Sequence, residues 1–314
     1  MRSVLFYRDF RRFTGGHLKV WDYFIHVLSS GDHRPYIQFS KDTVWDRTNP
    51  WLAYRRPAPE GVPARPDVRF VAGGDWETID VREREAPPQP VVNLIQHVRH
   101  ASPDDRRYPY LRHPAVRICV SAEVAEVVRQ AGANGPVLTI PNGLDLAALP
   151  SMLDPLKMDK ELFIVAMKQR KLGGELLRRL KGSARRIDFL DRPVPRAEFL
   201  QRIQRARVTL FLPDPSEGFY LPAIEGMALG SLVICPDCVG NRTFCAPGSN
   251  CFRPEHEVSA IEAAVRSALA LAPAEVTRMR DEARRTAESH SLLEERRAFQ
   301  AVLAQLPELW KVFA

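Results

Sequence analysis

Apolar residues along the chain gather into short unbroken runs separated by stretches of mixed polarity, the pattern of strands buried on both faces. "RSVLFY" (2–7) begins the series, and "YIQFS", "VRFVAGG", "VVNLIQ" (91–96), "VRICVS" (116–121) and "VLTIPNG" (137–143) continue it. From His17, the residues Leu18, Trp21, Ile25 and Leu28 recur at helical spacing, so the first strand leads through Gly15 and Gly16 into a helix. A further helix is predicted over 122–132 and stops at a glycine, whereas the stretches 53–66 and 82–90 read as loops from their proline content.

A second cycle of the same kind follows. Strands are predicted at "ELFIVAM" (161–167), "RRIDFL", "VTLFLP" (208–213) and "LVIC", and helices at "GELLRRL" (174–180), "RAEFLQRIQRA" (196–206) and "LPAIEGMALG". From about Val258 the chain is helical in pattern and rich in Ala, Arg and Glu. Two runs of alternating strands and helices, split near 146–160, predict an α/β protein of two doubly wound, Rossmann-like domains facing each other across a cleft. The expected domains are 1–150 and 151–314, with the C-terminal helices in the second. The 314 residues suit two domains of roughly 150.

Charge narrows the partners. The net charge of +7 is carried by scattered arginines, which favours phosphate-rich small molecules, acidic acceptors or a membrane surface. No clustered basic helix or nucleic-acid module accompanies it, so nucleic acid is not an expected partner. No run approaches the length of a membrane span, and the apolar stretch at the N-terminus is too short for a secretory signal. A soluble, cytoplasmic protein is expected, with peripheral contact at the inner face of a membrane left open. Cys235, Cys238, Cys245 and Cys251 crowd into 17 residues, yet the second pair is spaced more widely than structural zinc sites use. Reduced cysteines of mixed burial are expected there, and no metal.

The segment "SEGFYLPAIE" (216–225) carries the chemistry. It runs from a strand through a loop into a helix, with Pro222 suited to the first helical position. Gly218 allows close approach to the backbone, and the N–H groups of residues 218–221 lie at the positive end of the helix, where an anion binds. Glu217 and Glu225 flank that anion position and suit hydroxyl groups on either side of it, since a carboxylate accepts two hydrogen bonds from a vicinal diol. A diphosphate with a ribose at one end and a sugar at the other fits. A capped helix with surface glutamates fits the segment equally.

"EGFYLPAIEGMALG" resembles the E-x7-E signature of family 4 glycosyltransferases, which have the GT-B fold. "VLTIPNGLD" resembles the family's interdomain segment, and "RICVS" the strand before it. "FIVAMKQRKLGGELLRRL" is similar to the first strand of its nucleotide domain, and "GSLVICPDCVGNRTF" stands where the family has a glycine-containing loop. The resemblance covers roughly residues 115–270 well and 1–110 weakly. It implies Glu217 on the hydroxyls of the transferred sugar and Glu225 on the ribose. Backbone N–H groups near Phe219, Tyr220 and Leu221 would hold the diphosphate, with Lys168 as its cation and Arg170 or Lys171 as a second. The family's usual glycine–arginine pair is replaced here by "AMK". Asn241 and Arg242 likewise replace more usual residues, as donor-loop elements or as a plain surface turn.

In the first domain the resemblance places a glycine-rich loop at Gly15 and Gly16, open to donor phosphates or acceptor. His97 follows the strand "VVNLIQ" at its carboxyl end and is a candidate substrate contact; His100 is a weaker one. Trp45, Trp51 and Trp76 suit the core better than an acceptor platform. Together these features predict a glycosyltransferase that uses a nucleoside-diphosphate sugar as substrate and takes no cofactor. Its acceptor would be a glycan, a lipid-linked group or another hydroxyl compound. The chain contains no D-x-D triplet, the usual carboxylate handle for a divalent metal, so transfer without metal is expected. The resemblance implies retention of configuration. An epimerase of the same fold and a non-catalytic binding protein are the alternatives.

Overall fold

A computed structural model describes residues 1–56 and 61–313; positions 57–60 of the loop expected over 53–66 lie outside the described residues. The chain divides into two compact units, Met1–Asn142 with Leu293–Ala314, and Gly143–Leu292.

The first unit holds one parallel sheet of six strands: β1 (Arg2–Arg8), β2 (His33–Phe39), β3 (Val68–Ala72), β4 (Val91–Ile95), β5 (Val116–Cys119) and β6 (Val137–Thr139), in the order β2-β1-β3-β4-β5-β6. β-branched and aromatic residues fill it on both faces, and Phe6 stacks on Phe70 with ring centroids 4.6 Å apart. Helix α1 (Gly15–Leu28) is capped by Thr14, whose side chain accepts from the His17 N–H. Gly15 and Gly16 therefore form the first turn of this helix and are not a loop before it. The 82–90 segment, expected as loop, includes most of a short helix α2 (Val81–Glu85), because the Asp80 carboxylate accepts from the Arg82 N–H and closes one turn without any apolar periodicity. Helix α3 (Ala122–Gln130) is capped by Ser121 and stops before Gly132, which takes φ +71°.

The second unit contains β7 (Lys160–Val165), α4 (Arg170–Arg179), β8 (Ile187–Leu190), α5 (Arg196–Gln204), β9 (Ala206–Phe211), α6 (Leu221–Ala228), β10 (Leu232–Ile234), α7 (Val258–Ala270) and α8 (Pro273–Ser289). Its four strands are parallel in the order β10-β9-β7-β8. Leu162, Ile164, Val208, Leu210 and Ile234 form the core with Leu176 of α4 and Ile261 and Val265 of α7. Gly173 lets α4 lie directly on the end of β7: a Cβ there would stand 2.2 Å from the Ala166 Cβ.

The division differs from the expected 1–150 and 151–314 at the C-terminus. Helix α9 (Leu292–Trp310) belongs, from Leu293 onward, to the first unit. Its Phe299 is fully buried against Tyr23, 4.7 Å between rings. Its buried Glu295 accepts from Lys19 of α1 at 2.6 Å and lies 3.2 Å from His26 Nε2, while Lys19 also pairs with Asp22 at 2.8 Å. Burial alone would pull the Lys19 ammonium down, but Glu295 and Asp22 hold it above the ordinary lysine value. A buried charge of this kind requires its partner, so Glu295 ties α9 to α1. The pairing spans 276 residues of sequence and leaves no mark on local periodicity.

Candidate functional site

In each sheet the strand order reverses at one place, and the carboxyl ends of the two strands there leave a crevice in which α/β proteins bind ligands. In the second unit that place lies between β7 and β9. Lys168 follows β7 and Glu217 follows β9, and their side chains form an ion pair across it. The Lys168 ammonium also stands 5.8 Å from the centre of the Tyr220 ring. Lys168 is about half exposed and Glu217 mostly covered. Helix α4 begins at Arg170, four residues before the helix expected at 174, which puts Arg170 and Lys171 in its first turn, both exposed, beside Lys168.

The loop carrying Glu217 is built locally. The Asp214 carboxylate accepts from the Ser216 N–H and hydroxyl, and the Asp214 carbonyl from the Glu217 N–H. A second loop then locks it. The Tyr220 N–H donates to the Gly240 carbonyl at 3.2 Å, and Val239 N–H to that of Pro215 at 3.1 Å. Gly240 packs so closely that a Cβ would lie 2.5 Å from the Phe219 nitrogen and 2.7 Å from the Glu217 carbonyl oxygen. The expectation of free N–H groups over 218–221 is thus corrected at Tyr220, whose N–H is taken. Gly218 and Phe219 are buried beside it, and the Phe219 ring lies 5.1 Å from that of Phe244.

Leu221 opens α6 and Pro222 takes its second position, not its first. Glu225 consequently falls in the second turn and points inward, 2% exposed. Arg196, the first residue of α5, reaches it at 2.6 Å. Burial pushes the Glu225 carboxyl up, and Arg196 opposes that shift. Of the two readings left open, surface glutamates on a capped helix does not describe Glu225. Sequence reasoning also missed Arg196, since nothing at a helix start announces a partner on the next helix.

In the first unit the reversal lies between β1 and β3. Arg8, the last residue of β1, donates to both oxygens of Asp75 at 2.8 and 3.0 Å, and Asp75 also accepts from the Ala72 N–H. This buried pair, unforeseen from sequence, fastens the end of β1 to the turn after β3. Gly16 lies in the first turn of α1, and its carbonyl accepts from Gln96 at 3.3 Å. Gln96 precedes His97, so the candidate glycines and histidine are neighbours at one sheet edge. The His97 ring accepts from the Arg99 N–H through Nδ1, which caps the short turn after β4. His100 is buried, and desolvation followed by the Arg107 charge lowers its pKa to about 3.

The remaining candidates pack or pair within their own surroundings. Trp51 and Trp76 are buried in the core, and Trp45 packs edge-on against Phe39 at 4.7 Å. Asn241 is fully buried and donates to the Pro236 carbonyl at 2.8 Å, and Arg242 pairs with Asp237 at 3.1 Å. Cys235, Cys238, Cys245 and Cys251 are all buried, so their burial is uniform and not mixed. Among the described residues no group of His, Cys, Asp or Glu is placed to hold a metal ion. Among them, too, no helix is long and apolar enough to cross a membrane.

No known family's sequence profile matches the chain, and no curated protein matches it. Solved structures do match over nearly its whole length. Sucrose-phosphate synthase from Thermosynechococcus elongatus is similar at 14% identity over 98% of this chain and 99% of that one, with a TM-score of 0.71. The Anabaena HepE protein in complex with UDP-glucose is similar at 13% identity over 97% and 100%, also at 0.71. The lipopolysaccharide outer core galactosyltransferase WaaB is similar at 13% identity over 97% and 99%, at 0.69. The fold is therefore GT-B, as the resemblance in sequence implies, with the two doubly wound domains that the order of strands and helices predicts.

Proposed function

We propose that the chain is a glycosyltransferase that moves a sugar from a nucleoside-diphosphate sugar to an acceptor hydroxyl, with retention and without a metal. The observation that carries this reading is the Lys168–Glu217 pair at the reversal point of the second sheet, next to the N-terminus of α6. The two side chains pair with each other, and a donor would offer each a partner of its own. Its diphosphate takes Lys168, with Arg170 or Lys171 and the N–H groups of Gly218, Phe219 and Leu221, while its sugar hydroxyls take Glu217. Glu225 accepts the ribose hydroxyls. Gly15, Gly16 and His97 serve substrate from the first unit, where they share one sheet edge. That HepE was solved with UDP and with UDP-glucose supports a nucleotide-sugar donor.

During transfer the bond between the anomeric carbon and the phosphate oxygen breaks, and the acceptor oxygen bonds to that carbon on the same face. The departing phosphate oxygen takes the acceptor proton. Negative charge grows on the diphosphate as this happens, and Lys168 with the helix terminus stabilises it. His97 contacts substrate and is not an obligatory base.

The test is a panel of nucleoside-diphosphate sugars incubated with and without candidate acceptors, read by release of nucleoside diphosphate and by proton NMR of the first product. Release that requires acceptor, with the donor's anomeric configuration kept, is expected. Conversion of donor without acceptor would indicate an epimerase, binding without turnover a non-catalytic protein, and an inverted product a different mechanism with His97 as base.

A further inference from the structure

Glu225 is 2% exposed, and its partner Arg196 is not: the arginine side chain keeps about a third of its surface open, at 35%. The two meet at 2.6 Å from different helices, the start of α5 and the second turn of α6. Among the described residues Arg196 is the cation paired with Glu225, and the Glu225 charge is among the influences that raise the buried Tyr220 hydroxyl. A buried carboxyl with no cation beside it takes up a proton and loses most of its strength as an acceptor. One guanidinium does not use all the lone pairs of an ionised carboxylate, so acceptor capacity remains.

We propose that Arg196 is a positioning residue for nucleotide binding: from the start of α5 it pairs with the buried Glu225 carboxylate and holds it as an oriented acceptor for the vicinal hydroxyls of a ribose. The inference rests on the reading of Glu225 as the ribose contact. Arg196 itself touches no reacting atom. Removing the cation removes what opposes burial, so Glu225 protonates at higher pH in its absence and the site loses its acceptor as pH falls.

Calorimetric titration with UDP, GDP and ADP between pH 8 and pH 6 tests this, using wild type, Arg196→Gln, Arg196→Lys and Glu225→Gln. For the tightest nucleotide, affinity in wild type falls less between pH 8 and pH 6 than it does in Arg196→Gln, the protonation of the diphosphate itself being common to both. Arg196→Gln weakens by about tenfold for each pH unit below the new Glu225 pKa. Arg196→Lys restores most of the loss, and Glu225→Gln is weak at every pH. An Arg196→Gln protein with wild-type affinity and pH profile overturns the proposal.

Carbon-13 NMR of the glutamate carboxyls without ligand, with Glu225→Gln to assign the signal, supplies an independent readout. Arg196→Gln must raise the pH at which Glu225 titrates; an unmoved titration also overturns the proposal. If the titration moves but Glu225→Gln binds nucleotide as well as wild type, the ribose reading fails, and Arg196 retains only its effect on the charge of Glu225.

Discussion

Lys168 and Glu217 stand 49 residues apart in sequence, one after β7 and the other after β9, and their side chains meet where the strand order of the second sheet reverses. The pair is about half open to solvent on the lysine side, so it contributes only about 0–1 kcal/mol to stability. Its value lies in chemistry. Lys168→Ala should fold with an unchanged melting temperature and lose on the order of 10²-fold in kcat/KM, because the charge acts on a leaving group that becomes more negative in the transition state. Steady-state kinetics beside thermal denaturation checks both halves. Activity within a few-fold of wild type would move the role to Arg170 or Lys171.

Glu217 and Glu225 should separate in their effects. Glu217→Ala leaves affinity for a bare nucleoside diphosphate near that of wild type and lowers turnover, since its partner is the sugar. Glu225→Ala weakens the nucleotide by roughly 1.5–3 kcal/mol, the worth of hydrogen bonds to a charged group. Calorimetry on the two variants decides, and equal nucleotide affinities in the pair would contradict the assignment.

Gly240→Ala tests whether the second loop sets the position of the first. The added Cβ would lie 2.5 Å from the Phe219 nitrogen and 2.6 Å from its Cα, both backbone atoms that cannot rotate away. The 217–220 loop must shift, at a stability cost of about 1–3 kcal/mol. Activity should fall well beyond what that cost explains in a protein that is still folded at assay temperature. Full activity would show that the loop is placed by other contacts.

The element order of both sheets was legible because buried parallel strands read as unbroken apolar runs and the helices between them as periodic ones. Glu217 and Glu225 were legible as candidates because a strand end, a glycine and a helix start frame them, and Lys168 through the resemblance of the segment around it to the family's nucleotide domain. What stayed hidden was pairing across distance. Nothing near Arg196 points to Glu225, nothing near Arg8 to Asp75, and the attachment of α9 to the first unit depends on Lys19 and Glu295 meeting far from either's neighbours. The turn chemistry was hidden for a different reason. Asp80 starts α2 with one side-chain hydrogen bond, and the Gly240 carbonyl takes the Tyr220 N–H, both without any signature in the run of residue types.

His100 makes the fold sensitive to acid. Burial lowers its pKa from 6.5 to about 3, so the unfolded chain binds a proton there that the folded one refuses. The stability this group contributes is present above its unfolded value and is lost as pH falls toward its folded value. Between pH 7 and pH 5 the loss is about 2 kcal/mol. His100→Phe, which cannot titrate, should show a shallower decline in urea-unfolding free energy over that interval. An identical slope in both proteins would mean that His100 is protonated in the folded state.

The central claim is that the second unit holds a nucleoside diphosphate at the Lys168–Glu217 position, and the most direct measurement is calorimetric titration of nucleoside diphosphates and the corresponding free nucleosides into wild type and Lys168→Ala. Wild type should bind one diphosphate more tightly than its nucleoside, and Lys168→Ala should lose about 1.5–3 kcal/mol of that preference while binding the nucleoside as before. No binding of any diphosphate, or a preference untouched by the substitution, would contradict the account.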